Sequence, residues 1–115
     1  MKSKSESHDV RIFKGSRLAR FNRIELHIHT LQFGNHEYKR HMIVSPQSVH
    51  KQWLQTLELQ KLKDIQVITP VLFCSMAFKN LPPTLFMVDE LFPDQLRKVF
   101  ECVMRERLKY ELIEL

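Results

Sequence analysis

Two adjacent acids, Asp89 and Glu90, have the residue types and the position in the sequence that chemistry would need. They directly follow the apolar run Thr84 to Val88, which prolines bound on both sides. A continuous apolar run of this length predicts a strand buried on both faces of a parallel sheet. Open α/β sheets bind ligands at the carboxyl ends of their strands, where paired carboxylates can hold Mg²⁺ and orient an attacking water. The pair is therefore a candidate catalytic and metal site.

A second candidate site follows the short apolar run at residues 10–13. Its members are small or basic: Lys14, Gly15, Ser16, Arg17, Arg20 and Arg23. Backbone N–H groups and cations that converge at a helix N-terminus form an anion site. An intact phosphate loop needs several glycines followed by a lysine and a Ser or Thr, and this segment has one glycine and a different order. The segment predicts phosphate binding without an intact phosphate loop; a solvated basic face is the equal alternative.

The composition indicates a small, basic protein with a single core. The chain has 115 residues, of which 43% are hydrophobic, and its formal net charge is +5. This charge favours an anionic partner such as nucleic acid, but it is also compatible with a solvated surface. Cys74 and Cys102 have apolar neighbours, so we expect reduced core thiols in an intracellular, cytoplasmic protein. Residues 1–9 are polar and are expected to form a flexible tail, and no apolar run suggests a membrane partner.

Strand-like and helix-like segments alternate along the chain. Short apolar runs predict strands at residues 10–13, 42–44, 65–68 and 84–88. Residues 110–113 form either a final edge strand or the end of the last helix. Alternating strands and helices predict a parallel sheet with helices on its faces. We therefore expect residues 10–115 to form a single three-layer α/β domain with a mainly parallel sheet of four to five strands.

Three segments have the apolar periodicity of a helix. The first has apolar residues at Leu18, Phe21, Ile24, Ile28 and Leu31. The second, Val49 to Leu62, has Ser48 as its expected N-cap. Its inward residues are expected to be Trp53, Leu54, Leu57 and Leu59. The third begins at Pro93, and its apolar stripe consists of Leu96, Val99, Phe100, Val103 and Met104.

Residues 24–44 allow a second interpretation. Ile24 to His29 alternate strictly between apolar and polar residues, and Gly34-Asn35 could form the turn of a β-hairpin. A helix that ends at Gly34-Asn35 is favoured because its periodicity begins earlier and because the alternation breaks after Thr30. The hairpin would give a mixed sheet instead of a parallel one.

Three of the predicted strands continue into short polar motifs. Met42 to Trp53 runs through Ser-Pro into a helix with a tryptophan, Ile65 to Pro70 ends in Thr-Pro, and Leu85 to Glu90 ends in the acid pair. In order and spacing, these segments resemble motifs Ia, Ib and II of the first RecA-like domain of superfamily-two helicases and related P-loop translocases. The resemblance also extends to viral genome-packaging ATPases. It implies a RecA-like fold.

The resemblance also implies roles for individual residues. As motif II residues, Asp89 would hold Mg²⁺ and Glu90 would orient water, so ATP and Mg²⁺ are the implied cofactors. As motif Ia residues, five side chains would lie along a nucleic-acid backbone: Ser45, Gln47, Ser48, His50 and Lys51. Arg20 and Arg23 would add phosphate contacts.

Departures from the family pattern argue against hydrolysis. The phosphate loop is not intact, motif II continues with Leu91-Phe92, and 115 residues leave no room for a second RecA-like domain. The first hypothesis is a non-hydrolysing accessory protein, viral or mobile-element encoded, that binds nucleic acid or a partner ATPase. One alternative is the NTPase subunit of a helicase, translocase or packaging motor that oligomerisation completes. Another is an inhibitor that binds only protein.

The candidate residues also have structural interpretations. Asp89 and Glu90 can be solvated acids near the first turn of the last helix, where its dipole favours negative charge. Trp53 is expected in the core and not as a base-stacking platform. His27 and His29 would share one side only in a strand, so a zinc site is not expected.

Overall fold

The computed structural model describes residues 8–33, 38–61, 64–89 and 93–115. Five strands and four helices alternate in the described part of the chain. In order they are β1 (Asp9–Lys14), α1 (Arg17–Phe33), β2 (Arg40–Val44), α2 (His50–Leu59), β3 (Ile65–Ile68), α3 (Pro70–Cys74), β4 (Thr84–Val88), α4 (Pro93–Arg105) and β5 (Lys109–Glu114). Most of the predicted tail, the turn at Gly34-Asn35 and Glu90 lie outside the described residues.

The five strands form one all-parallel sheet in the order β3-β2-β4-β1-β5. The expected three-layer α/β fold is confirmed. The hairpin alternative is wrong, because residues 17–33 form one continuous helix and β2 pairs in parallel with both β3 and β4. The final segment is an edge strand, because β5 pairs with β1 along its whole length. No helix among the described residues is long and apolar enough to cross a membrane.

Alternate residues of each central strand fill two separate cores. On β4, Leu85 and Met87 pack with residues of α1 and α2, and Phe86 and Val88 pack with residues of α3 and α4. All five residues of β4 are buried. This double burial is why the strand consists of a continuous apolar run and lacks alternation. Helices α1 and α2 therefore cover one face of the sheet, and α3 and α4 cover the other.

This arrangement creates a crevice at one end of the sheet. β1 and β4 are neighbours, but β1 leads into α1 on one face and β4 leads towards α4 on the other. Where connections leave adjacent parallel strands towards opposite faces, a crevice opens at the carboxyl ends of the strands. We call this place the carboxyl-end crevice; it lies between the end of β1 at Lys14 and the end of β4 at Val88.

Helix α2 differs from its prediction at both ends. A 3₁₀ turn, Gln47–Val49, precedes α2, and Val49 occupies the N-cap position without a side-chain hydrogen bond. Ser48 is therefore not the N-cap. Trp53 and Leu57 are buried, whereas Leu54 and Leu59 are 55% and 82% exposed. The helix meets the sheet along one stripe at four-residue spacing, so the apolar residues beside that stripe remain in solvent.

Two more residues predicted to face a core are exposed. Leu18 on α1 is 70% exposed and Met104 on α4 is 57% exposed. Each belongs to the terminal turn of its helix, and the buried residues of both helices are nearer the middle. A helix packs on a sheet over a limited length, so apolar residues in its first or last turn can project beyond the contact.

Candidate functional site

Asp89 occupies the centre of the carboxyl-end crevice. The residue is 7% exposed, and its backbone N–H donates to the carbonyl oxygen of Val44 at 2.9 Å. Its carboxylate accepts from two helices: Arg20 Nε donates to Oδ1 at 2.7 Å, and Trp53 Nε1 donates to Oδ2 at 3.3 Å. Asp89 therefore connects β4 to both helices of one face, α1 through Arg20 and α2 through Trp53.

Arg20 also ties α1 to the turn before it. A guanidinium nitrogen donates to the carbonyl oxygen of Gly15 at 2.8 Å, and the Arg20 side chain is 14% exposed. Ser16 Oγ accepts the backbone N–H of Ala19 at 3.2 Å, as an N-cap serine does. The connection from β1 to α1 consists of Gly15 and Ser16 alone. The predicted phosphate-binding segment is thus a tight two-residue turn with an arginine folded back over it.

Position 15 requires glycine because of its backbone conformation and a close neighbour. Its φ is +141°, a conformation that residues with a side chain rarely adopt. A Cβ added there would lie 3.1 Å from Cβ of Leu115, whose N–H donates to the carbonyl oxygen of Lys14 at 2.9 Å. The end of β5 therefore approaches the turn closely, and glycine is the residue that permits it.

Ser45 lies beside Asp89 at the end of the neighbouring strand. β2 and β4 pair at Val44 and Val88, so the next residues of the two strands, Ser45 and Asp89, are adjacent. Ser45 is fully buried, its carbonyl oxygen accepts from His50 Nε2 at 2.9 Å, and its hydroxyl has no hydrogen-bond partner among the described residues. A buried hydroxyl without a partner costs about 1–3 kcal/mol. Any contact of motif Ia residues with nucleic acid would come from the exposed neighbours Gln47, Ser48 and Lys51.

Exposed cations lie on α1 and α2, the two helices that begin beside the crevice. Arg17 and Lys51 belong to the first turns of the two helices, and Arg23 lies one turn beyond Arg20. The Arg17 guanidinium donates to Oε1 of Gln52, so the two helices begin side by side. We call Arg17, Arg23 and Lys51 the basic rim. Lys14, half-buried at the end of β1, adds a fourth positive charge nearby.

The residues at the crevice do not fit the Mg²⁺ ion that the resemblance implies. Both oxygens of Asp89 accept from protein donors, and one donor is a guanidinium whose charge opposes a divalent cation. No group of three or more His, Cys, Asp or Glu residues in the described ranges could hold a metal ion. Asp89 acts instead as the acceptor that holds α1 and α2 on the sheet.

The two partners of Asp89, Arg20 and Trp53, are not the ones that the sequence predicts. The sequence predicts that Arg20 contacts phosphate and that Trp53 lies in the core. Trp53 is indeed 1% exposed, and it stacks on Phe21 at a centroid distance of 4.4 Å. Arg20 lies 69 residues from Asp89 in sequence, and no local signal joins the two. The usable signal is general: an arginine six residues after one strand end can meet an acid at the end of another strand if the two strands are neighbours.

A second polar cluster lies under α1. The Arg11 guanidinium, on β1, donates to Nε2 of His27 on α1. Burial lowers the pKa of His27, and the nearby charges of Arg11, Arg23 and His41 lower it further. Because arginine remains protonated, His27 must be neutral to accept this hydrogen bond.

The two cysteines form part of the core between α3 and α4. Cys102 is buried, Cys74 is half-buried against the same cluster, and both are free thiols, as expected. Burial raises the pKa of both thiols, that of Cys102 to about 11. Neither is an activated nucleophile.

The fold and the crevice define a doubly wound α/β protein whose ligand position is occupied by a buried ion pair. Neither protein-family models, nor curated proteins, nor solved structures provide a match to this chain. Its function has to be inferred from its own residues.

Proposed function

We propose that this chain binds nucleic acid through the basic rim and does not hydrolyse nucleotide. The proposal keeps the nucleic-acid side of the helicase resemblance and leaves out its catalytic side. The observation that carries it is the state of Asp89: the acid that would hold Mg²⁺ accepts hydrogen bonds from Arg20 and Trp53, in a crevice bordered by exposed cations.

Two features of the crevice argue against hydrolysis. An acid that binds a metal must direct its oxygens towards the ion, and here Arg20 is held 2.7 Å from Oδ1 of Asp89. A phosphate loop of the Walker type spans roughly eight residues, whose N–H groups surround the phosphates. The connection between β1 and α1 contains only Gly15 and Ser16. Both features support the proposal that this chain does not hydrolyse nucleotide.

The basic rim has the composition of a phosphate-backbone contact surface. Arg17, Arg23 and Lys51 are exposed on adjacent helices, and the polar side chains of Gln47 and Ser48 are exposed beside them. Contacts of this kind supply affinity that falls steeply with salt and carries little sequence information. We therefore expect binding to single- or double-stranded nucleic acid without strong sequence preference.

The test is a matched pair of charge reversals. Arg17→Glu/Lys51→Glu changes the rim, and Arg97→Glu/Lys98→Glu changes the exposed side of α4 by the same net charge. Fluorescence polarisation of labelled DNA and RNA should show about a tenfold or greater loss of affinity for the first variant only. An equal loss in both variants would mean that net charge alone drives binding, and would contradict the rim as the site. Arg20 is left unchanged because its reversal would break the ion pair with Asp89.

A protein partner, such as an ATPase, is the second candidate. Leu18, Leu54 and Leu59 are 70%, 55% and 82% exposed on the helices that carry the rim. Exposed apolar side chains can contribute to protein-binding surfaces. If Leu54→Ser/Leu59→Ser leaves nucleic-acid affinity unchanged but abolishes capture of a purified candidate ATPase, the leucines have a separate role from the rim.

Hydrolysis by an oligomer remains the competing activity, and it has a direct test. Turnover of Mg-ATP that increases with protein concentration and disappears in Glu90→Gln would contradict our proposal. Turnover at background level at every concentration would agree with it.

A further inference from the structure

A cavity lies at the opposite end of the sheet from the carboxyl-end crevice. It has a volume of about 330 Å³, and the amino-terminal ends of β2 and β3 line it with two runs of three residues: Lys39, Arg40 and His41, and Asp64, Ile65 and Gln66. A volume of this size is at the lower end of the range for small-molecule sites. We call this place the amino-end pocket; it suits a metabolite better than a polymer.

Among the described residues, the charged side chains of the amino-end pocket form no ion pair with one another. Lys39, Arg40 and Asp64 are exposed, and within the described part of the chain none of them forms a side-chain hydrogen bond or an ion pair. Their backbone is fixed nevertheless, because the N–H groups of Lys39 and Arg40 both donate to the carbonyl oxygen of Pro83, at 2.8 and 3.2 Å. Charged groups carried on a fixed backbone around a cavity are available to a ligand.

Asp64, which lines the pocket, has an uncommon backbone conformation. Its φ is 65°, in the left-handed region that aspartate tolerates better than most residues. The next residue, Ile65, begins β3 and pairs with His41. The pairing therefore places the carboxylate-bearing residue Asp64 opposite Arg40, and both residues line the cavity.

We propose that the amino-end pocket binds a small phosphomonoester that also carries hydroxyl groups, of the size of a sugar phosphate. Two cations and one acid in the lining favour an anion over a cation. Arg40 presents a planar set of donors that matches a phosphate, and Lys39 adds a second charge. Asp64 would accept from a ligand hydroxyl, which inorganic phosphate lacks.

The experiment is ¹H–¹⁵N NMR titration of the full chain with three probes: ribose 5-phosphate, inorganic phosphate and ribose. Ribose 5-phosphate should shift the amide signals of residues 39–41 and 64–66 saturably, and ribose should not. Arg40→Gln should lower the affinity for ribose 5-phosphate by about tenfold or more, because it removes a charge-assisted contact. Asp64→Asn should lower the affinity for ribose 5-phosphate. It should leave the affinity for inorganic phosphate unchanged or higher, because it removes a negative charge that repels the phosphate.

Arg97→Gln, on the exposed side of α4, is the matched control for loss of one positive charge. Three results would each overturn the proposal. The first is an equal loss of affinity for ribose 5-phosphate in Arg97→Gln and Arg40→Gln, and the second is amide shifts spread over all basic surfaces. The third is an unchanged affinity for ribose 5-phosphate in Asp64→Asn. Nucleic-acid affinity should be unchanged in Arg40→Gln, so the pocket and the basic rim succeed or fail separately. Circular dichroism melts of both Arg40→Gln and Asp64→Asn should match that of the parent chain.

Discussion

The two ends of the sheet carry similar residue types in opposite states. At the carboxyl end, an acid and an arginine are buried together, with Arg20 Nε 2.7 Å from Oδ1 of Asp89. At the amino end, Arg40 on β2 and Asp64 just before β3 are exposed and make no ion pair among the described residues. The difference separates charged groups that stabilise the fold from those that can bind a ligand. Buried and paired groups hold elements together, and exposed groups around a cavity are available to ligands.

The largest expected effect comes from the buried pair. Asp89→Ala should lower the free energy of unfolding by about 2–4 kcal/mol, because it leaves the Arg20 charge and the Trp53 N–H without their acceptor. Urea denaturation of the parent chain and of Asp89→Ala measures this loss of free energy of unfolding. The control is Asp94→Ala, which removes an 87% exposed carboxylate 3.6 Å from Arg97 and should cost about 0.5 kcal/mol or less. Similar losses in the two variants would mean that the crevice pair is no more structural than a surface pair.

A smaller effect is expected at the turn beside that pair. Gly15→Ala should cost about 1–2 kcal/mol, because alanine rarely adopts φ near +141° and its Cβ would crowd that of Leu115. In a Leu115→Gly background, which lacks the crowding Cβ, the destabilisation by Gly15→Ala should fall to the backbone part alone. Thermal melts of the parent and these variants separate the two parts. If Gly15→Ala destabilises the Leu115→Gly chain as much as it destabilises the parent chain, crowding by Leu115 makes no contribution.

His27 should make the stability of the fold sensitive to acid. Its folded pKa is lowered below 6.5, so the unfolded chain binds the proton more readily. The stabilising effect of neutral His27 is fully present above pH 6.5 and is lost as the pH falls towards the folded pKa. Unfolding midpoints in urea should therefore decrease below pH 6.5, and His27→Gln should reduce this decrease. His29→Gln, on the same helix, should preserve it; the same profile in all three proteins would exclude His27.

The smallest effect belongs to the amino-end pocket. Arg40→Gln should change the free energy of unfolding by less than about 0.5 kcal/mol, because the side chain is exposed and makes no described ion pair. Chemical denaturation of Arg40→Gln and Asp89→Ala under the same conditions compares their free energies of unfolding directly. A loss close to that of Asp89→Ala would show that the pocket cations stabilise the fold, and would remove the contrast between the two ends.

The sequence predicted the elements better than their partners. The apolar run of β4 identified a doubly buried strand because burial on both faces leaves no polar alternation. The pairing of Arg20 with Asp89 could not be predicted, because it depends on β1 and β4 being neighbours in the sheet. On α2, Trp53, Leu54, Leu57 and Leu59 surround too much of the helix to indicate which pair faces the sheet.

The amino-end pocket was not predicted for a related reason. Lys39 to His41 and Asp64 to Gln66 are separated by a whole strand and helix in the sequence, and each alone reads as ordinary polar surface. Only the parallel pairing of His41 with Ile65 brings them around one cavity. Periodicity locates strands, but it does not determine which strands become neighbours.

The most direct test of the proposed function is a titration of labelled DNA and RNA with the full chain at two salt concentrations, with and without Mg-ATP. We predict binding that weakens steeply as salt increases and that Mg-ATP does not change, because the rim contacts phosphates and the crevice is closed by Arg20 and Asp89. Affinity that changes with Mg-ATP, or the absence of binding to every probe, would contradict this account.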